Sequence, residues 1–316
     1  MSGASMRIER DAPISTWFGV GGRADRLARP ESADELRACV LEEPRLRMLG
    51  DGANLLVDDD GVEGLVVSLS SAAMSGWEIS TRDAGLVRAM AGANLPRLIL
   101  DCVRAGLGGL EGLGGIPATL GGALVMNAGG SFGQISDSVE RVHALDRAGN
   151  AVVLERADID FSYRHSGLNE LIVVSADLRL TPGDAGALRA RLKDVMQYKK
   201  ESQPMGARSA GCAFRNPTIT GDVIGPRGEV IARAEGGAGK RVSAGMLIDK
   251  AGCKGLAVRS ASVSERHANF LVVDSSFKPG ARARDVIELM ALVQQRVLDA
   301  FGVRIEPEVV VWRRGE

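Results

Sequence analysis

Gly115-Ile116-Pro117-Ala118-Thr119-Leu120-Gly121-Gly122, followed by Met126-Asn127-Ala128-Gly129, is the stretch that decides how the chain folds. It lies in a window that carries glycine at 106, 108, 109, 112, 114, 115, 121, 122, 129, 130 and 133. Each interior glycine costs a helix about 1 kcal/mol relative to alanine, so no long helix runs through it. Leu, Ile, Val and Met are threaded between the glycines, so it is not a flexible linker either. Two readings fit: backbone packed closely against a large flat or anionic ligand, or a glycine-rich structural crossing of the chain. The first is the more natural.

Toward the N-terminus a second glycine cluster, Gly50-Asp51-Gly52-Ala53-Asn54, stands between the strand candidates Arg47-Met48-Leu49 and Leu55-Leu56-Val57. Successive N–H groups of such a loop can form an anion-binding nest, and an ordinary tight turn fits equally well. No Gly-Lys-Ser/Thr follows, so it is not a Walker loop. A strand rather than a helix comes next, which excludes a Rossmann fingerprint.

Around these clusters the pattern is α+β. Ser32-Ala33-Asp34-Glu35 has capping-box spacing before Leu36, Cys39 and Val40. Leu65-Val66-Val67 is a further strand candidate, and a helix is expected over Asn94–Ala105. Alternation predicts strands at Val139–Leu145, Val152–Leu154 and Leu171–Leu180. A helix over Asp184–Lys200 leads into a third region, with a strand near Ala213-Phe214, a short helix at Ala244–Ala251, and a strand at Asn269–Val273. The long helix Ala281–Ala300 keeps Val286, Met290, Val293 and Val297 in phase, and Val309-Val310-Val311 closes the chain.

The 316 residues suffice for two or three domains. With 39 basic against 40 acidic residues, the net charge of −1 argues against a general nucleic-acid binder. No apolar run approaches the ~18 residues of a membrane span. The first residues, Met1-Ser2-Gly3-Ala4-Ser5, hold no signal-peptide core, so a cytoplasmic protein is expected. Cys39, Cys102, Cys212 and Cys253 lie far apart, and His143, His165 and His267 are scattered, so neither a disulfide framework nor a metal site is expected.

With Ser15-Thr16-Trp17-Phe18-Gly19-Val20-Gly21-Gly22, the Leu49–Val57 loop and the Gly115–Gly129 segment in place, the chain resembles the bacterial UDP-N-acetylenolpyruvoylglucosamine reductases. Further matching blocks follow in the family's order. They are Phe161-Ser162-Tyr163-Arg164, then Ser209-Ala210-Gly211-Cys212-Ala213-Phe214-Arg215-Asn216-Pro217, then Ala244–Gly252. His267-Ala268-Asn269-Phe270 and Glu306-Pro307-Glu308-Val309 complete the series. The interval from Arg164 to Cys212 resembles the shorter, second type of the family.

The resemblance implies an α+β fold: a two-subdomain FAD-binding module of the vanillyl-alcohol-oxidase (PCMH) type with a third, substrate-binding subdomain. Residues 1–70, joined by a C-terminal strand in 302–316, and residues 71–202 would bind FAD, and 203–301 would bind substrate. The cofactors implied are non-covalent FAD and NADPH as hydride donor. The substrate is UDP-N-acetylglucosamine enolpyruvate, handled by a monomer without nucleic acid or membrane. Gly50, Asp51, Gly52, Ala53, Asn54 and Leu55 would hold the cofactor together with Gly115, Ile116, Pro117, Thr119, Gly121, Gly122, Asn127, Ala128 and Gly129. Tyr163, Arg215 and Asn216 would contact substrate, with Lys199 and Lys200 as looser candidates for its diphosphate.

Three positions would carry the chemistry. Reduction of an enolpyruvyl ether develops negative charge that spreads into the carboxylate, so a cation or donor is needed there and an acid beside the adjacent carbon. Arg164 suits the first role, because guanidinium presents paired donors. Glu308 matches the glutamate that polarises the carboxylate, which requires it protonated or bridged by a donor. Cys212 stands where most relatives carry a serine proton donor; a free thiol, near pKa 8.5, is a far stronger acid than an alcohol. Met246 is a second departure, at a position usually tryptophan. Another FAD oxidoreductase of this fold, or a nucleotide-sugar-binding relative without turnover, are the alternatives.

Overall fold

The computed structural model describes residues 7–234 and 239–315. The chain divides into two units. The first takes the chain up to Pro13, then Ala24–Asp51 and Glu63–Glu201; the second takes Ile14–Arg23, Gly52–Val62 and the chain from Ser202 onward.

In the first unit a four-stranded sheet runs in the order Ile8–Pro13, Arg23–Ala28, Val62–Ser68, Arg47–Leu49, the last two parallel. Helix α1 (Ala33–Glu42) starts where the Ser32 hydroxyl accepts from the Glu35 N–H, and it buries Leu36, Cys39 and Val40. Five antiparallel strands make the second sheet, ordered Ala151–Glu155, Val139–Leu145, Ile172–Arg179, Leu86–Met90, Trp77–Ile79. Helix α2 (Leu95–Arg104) is capped by Asn94 and turns Leu95, Leu98, Ile99, Cys102 and Val103 inward. One aliphatic core serves both sheets and both helices.

Inside the glycine-rich segment the chain forms a short helix, α3 (Leu120–Val125), which the glycine pair at its start hides from a reading of the sequence. Thr119 makes it possible by accepting from the Gly122 N–H at 3.2 Å. Helix α4 (Ala185–Ser202) follows the second sheet.

The second unit is built on α5 (Ala244–Lys250) and α6 (Ala283–Phe301), with Phe18, Leu56, Phe214, Leu247 and Val293 in its core. Both carboxylate oxygens of Asp59 receive the first N–H groups of α6, from Ala283 at 2.9 Å and Arg284 at 3.1 Å. Gly302, at φ +67°, ends it. Val310–Trp312 pairs in parallel with Leu55–Val57.

Two strand expectations change. Residues 213–214 form no ladder, because their backbone groups go to several partners. The Asn269 carbonyl accepts from Ala213 N–H, the Ala213 carbonyl accepts from Glu308 N–H, and the Asn269 side chain takes both the N–H and the carbonyl of Phe214. With Asn269 so occupied, its own strand starts later, at Leu271–Val273. Among the described residues no helix is long and apolar enough to cross a membrane.

Candidate active site

In the first unit the start of one glycine cluster meets the other. A methyl group on Gly50 would stand 2.8 Å from Thr119 Oγ1, so the Gly50-Asp51 turn lies directly against the start of α3.

Much of the glycine in this region nevertheless answers to protein packing. Methyls on Gly108 and Gly114 would meet Leu188 and Leu192 of α4 at 2.7 and 2.5 Å. One on Gly112 would collide with the Phe132 carbonyl, and one on Gly121 would come 3.0 Å from Ala91 Cβ. The structural-crossing reading therefore holds for much of the segment, Gly129 included, where a methyl would stand 2.5 Å from Gln134 Cβ. Three positions stay bare, two of them expected to meet a cofactor: Gly122 is exposed and meets Thr119 Oγ1 at 3.4 Å, Gly115 meets only the Lys199 stem at 3.2 Å, and Gly130, outside that expectation, has nothing within 4 Å. Ile116, Pro117, Ala118, Ala128 and Gly129 are half-buried beside them. Uncovered glycine main chain next to small apolar side chains fits a flavin dinucleotide, whose pyrophosphate needs N–H donors and whose ring needs a flat surface.

Arg164 sits at the tip of a tight turn in which Ser162 and His165 exchange backbone hydrogen bonds of 3.0 and 3.2 Å. Its φ of +57° is a conformation that arginine rarely adopts. Its Nη1 donates to the Gly129 carbonyl at 3.0 Å, and its guanidinium lies 5.4 Å from the Tyr163 ring. Lys199 is close enough to feel it: burial first, and the Arg164 charge second, push the Lys199 amine down from the usual 10.5 to about 8. Two cations held near each other suit an anionic ligand.

Asn127 is 2% exposed, and its side chain is engaged with Ser162, Ser136 and Gln134, so the amide presents no surface to a cofactor.

In the second unit Gly52, at φ +66°, lies so close to the Ser15 carbonyl that any side chain would strike it, and its own carbonyl accepts from Trp17 N–H at 3.1 Å. Ala53 is half-buried and Leu55 buried. Asn54 donates through Nδ2 to the Glu308 carbonyl at 3.0 Å and accepts from Val310 N–H. Asn54 is thereby tied to the strap that carries Glu308.

That strap runs antiparallel to residues 212–215. Glu308, 9% exposed, donates its N–H to the Ala213 carbonyl at 2.8 Å, and Arg215 donates its N–H to the Glu306 carbonyl at 2.9 Å. Cys212, half-buried, pairs along the backbone with Phe270. Cys212 and Glu308 thus lie on backbone segments joined at Ala213, while Arg164 belongs to the other unit.

Asn216 serves the fold itself. Its Oδ1 accepts from Ala244 N–H at 2.9 Å and holds the start of α5. Arg215 Nε and Ser209 Oγ are buried without a partner among the described residues, a costly condition that a bound polar group would relieve. Ser209 lies in the matching block, yet the sequence assigns it no role, because a serine near a pair of site positions gives no signal until its burial is known. His267 is pushed below its usual value, chiefly by burial, and its Nδ1 accepts from Asn269 N–H, so it is held neutral.

Comparison with known proteins places these features in one context. Residues 24–155 match an FAD binding domain family, and residues 203–312 match the C-terminal domain of UDP-N-acetylenolpyruvoylglucosamine reductase. The protein of that name from Moorella thermoacetica is 37% identical over 321 residues, which cover 99% of this chain and 96% of the relative. The one from Syntrophobacter fumaroxidans is 38% identical over 304 residues, covering 93% and 80%. The crystal structure of UDP-N-acetylenolpyruvylglucosamine reductase from Thermus caldophilus superposes with a TM-score of 0.75 at 36% identity, over 98% of this chain and all of the other.

Proposed function

The chain belongs to the UDP-N-acetylenolpyruvoylglucosamine reductase family, and on that premise we propose the reaction and the residues that perform it. NADPH and FAD serve to reduce UDP-N-acetylglucosamine enolpyruvate to UDP-N-acetylmuramate, a step of peptidoglycan precursor synthesis. The observation that carries the reading is the meeting of Gly50 with Thr119, which joins two glycine-rich clusters beside bare main chain. FAD, when bound, relays two electrons from NADPH to the enolpyruvyl double bond.

The side chains have separable roles. Arg164 binds the substrate carboxylate; a guanidinium offers five N–H donors, so anchoring Nη1 on Gly129 is compatible with that duty. Glu308 shares the carboxylate through a bridging proton, and its low exposure keeps water from competing. Cys212 holds, on Sγ, the proton that passes to the carbon beside the carboxylate. Tyr163, Arg215 and Ser209 contact the rest of the substrate, and the Lys199 charge favours its anionic form.

In this reading residues 1–70 with 302–316, and 71–202, are FAD-binding subdomains, and 203–301 cover the substrate. The protein works as a cytoplasmic monomer. Purified protein is expected to be yellow and to release FAD on acid precipitation. Under anaerobic conditions NADPH should bleach the flavin and the enolpyruvyl substrate should restore its colour. A protein that stays colourless after incubation with FAD would end the reading.

A further inference from the structure

We infer that Asn127 is a positioning residue, which holds the Arg164 turn in its working conformation. The inference rests on the reading of Arg164 as the carboxylate-binding group.

Three hydrogen bonds clip the Arg164 turn to the end of the glycine-rich segment, at every second residue. Ser166 Oγ donates to the Val125 carbonyl at 2.8 Å, Asn127 Nδ2 donates to the Ser162 carbonyl at 2.9 Å, and Arg164 Nη1 donates to the Gly129 carbonyl at 3.0 Å. Asn127 and Ser166 are both buried, and Asn127 is the more heavily bonded of the two. Asn127 Oδ1 accepts from Ser136 N–H at 3.4 Å, and Nδ2 also reaches Gln134 Oε1 at 3.3 Å, so the amide is fixed from two sides. Asn127 itself has φ +41°, a left-handed conformation that asparagine tolerates better than most residues.

This arrangement answers a question that Arg164 poses. An arginine in the left-handed region persists only where its surroundings over-determine it. The Ser162 carbonyl closes the turn with His165 N–H and accepts from Asn127 as well, so the amide bonds the atom on which the turn depends. Loss of that bond frees the turn to relax and carries the guanidinium away from its place, while the glycine main chain that meets the cofactor keeps its own contacts.

The informative variant is Asn127→Gly, because glycine accepts positive φ and only the amide is lost. Asn127→Asp keeps the acceptor for Ser136 and removes the donor to Ser162; Ser166→Ala removes a neighbouring clip. FAD affinity, melting temperature and the two half-reactions are to be measured under anaerobic conditions for each, beside Arg164→Ala and the double variant Asn127→Gly/Arg164→Ala. FAD affinity and flavin reduction by NADPH should stay within about threefold of the parent, while reoxidation by substrate slows about 10- to 100-fold, the scale of a small misplacement of a reacting group. The double variant should be no slower than Arg164→Ala, since one residue acts through the other. If Asn127→Gly does not fold, Asn127→Asp and Ser166→Ala carry the same expectation.

Fully additive losses in the double variant would overturn the inference, as would a loss of FAD affinity with normal reoxidation of the loaded protein. Slow reoxidation in Arg164→Ala with normal reoxidation in all three clip variants would overturn the inference alone. Normal reoxidation in Arg164→Ala would overturn the role of Arg164 and the inference with it.

Discussion

Arg164 in the first unit and Cys212 in the second are held by opposite means. The turn of Arg164 is clipped to residues 125, 127 and 129, so its conformation depends on side chains and strained backbone within one neighbourhood. Cys212 lies on a segment whose neighbours, Ala213, Phe214 and Arg215, are tied to Asn269, Glu306 and Glu308 by backbone and amide bonds. Nothing near Cys212 in sequence supplies those partners. The first arrangement is therefore sensitive to single side chains, and the second to the assembly of distant strands.

Removal of the reactive groups themselves should give the largest effects and test whether both units contribute to one step. Arg164→Ala and Glu308→Gln should each slow reoxidation by substrate about 10²- to 10³-fold, as loss of one preorganised charge-stabilising group does, with NADPH reduction intact. Cys212→Ala should lose about 10²-fold in the same half-reaction, and Cys212→Ser much less, because a hydroxyl can take over the proton. Stopped-flow absorbance separates the two halves. Equal damage to flavin reduction would mean that the contrast between the units is structural only.

A glycine pair tests how far the first unit depends on close packing. Gly112→Ala drives a methyl into the Phe132 carbonyl and should cost about 1–3 kcal/mol. Gly130→Ala meets nothing within 4 Å and should leave stability within about 0.5 kcal/mol. Thermal melts check both. If Gly130→Ala also weakens FAD binding, its open face is a cofactor surface.

A pH-dependent effect concerns Lys199, whose amine is pushed down from 10.5 to about 8. Between those values the unfolded chain binds more protons than the folded one, so stability rises with pH across about 8 to 10.5. Below that window the buried charge is a burden. Lys199→Met should therefore melt higher than the parent below pH 8, with the advantage fading as pH approaches 10.5. A gap that does not change with pH would assign the difference to packing.

The contrast between the units also explains what is legible in the sequence. Helices α1 and α2 are readable because caps and apolar period agree, at Ser32 and Asn94, and α6 is readable by its apolar period alone. The first strand, Ile8–Pro13, is not, since Glu9, Arg10 and Asp11 stand in a row and only Ala12 is fully buried. Helix α3 escapes because Gly121 and Gly122 lie within it; Thr119 and the burial of Leu120, Ala123 and Leu124 supply what propensity lacks. At the site, Arg164, Cys212 and Glu308 are nominated by the family resemblance of their motifs; residue type alone would read them as surface charge, buried thiol and strand-edge acid. Where the Asn127 amide lands, and the burial of Ser209 Oγ without a partner among the described residues, cannot be read from motif spacing.

The parallel pairing of Val310–Trp312 with Leu55–Val57 has a consequence for how the chain is made. All three residues of the earlier strand are buried and apolar, yet their partner leaves the ribosome roughly 250 residues later. At about 5–20 residues per second, that is a wait of about 13 to 50 s. During it, Leu55-Leu56-Val57 is a sticky hydrophobic edge on a nascent chain, a natural place for a chaperone to hold.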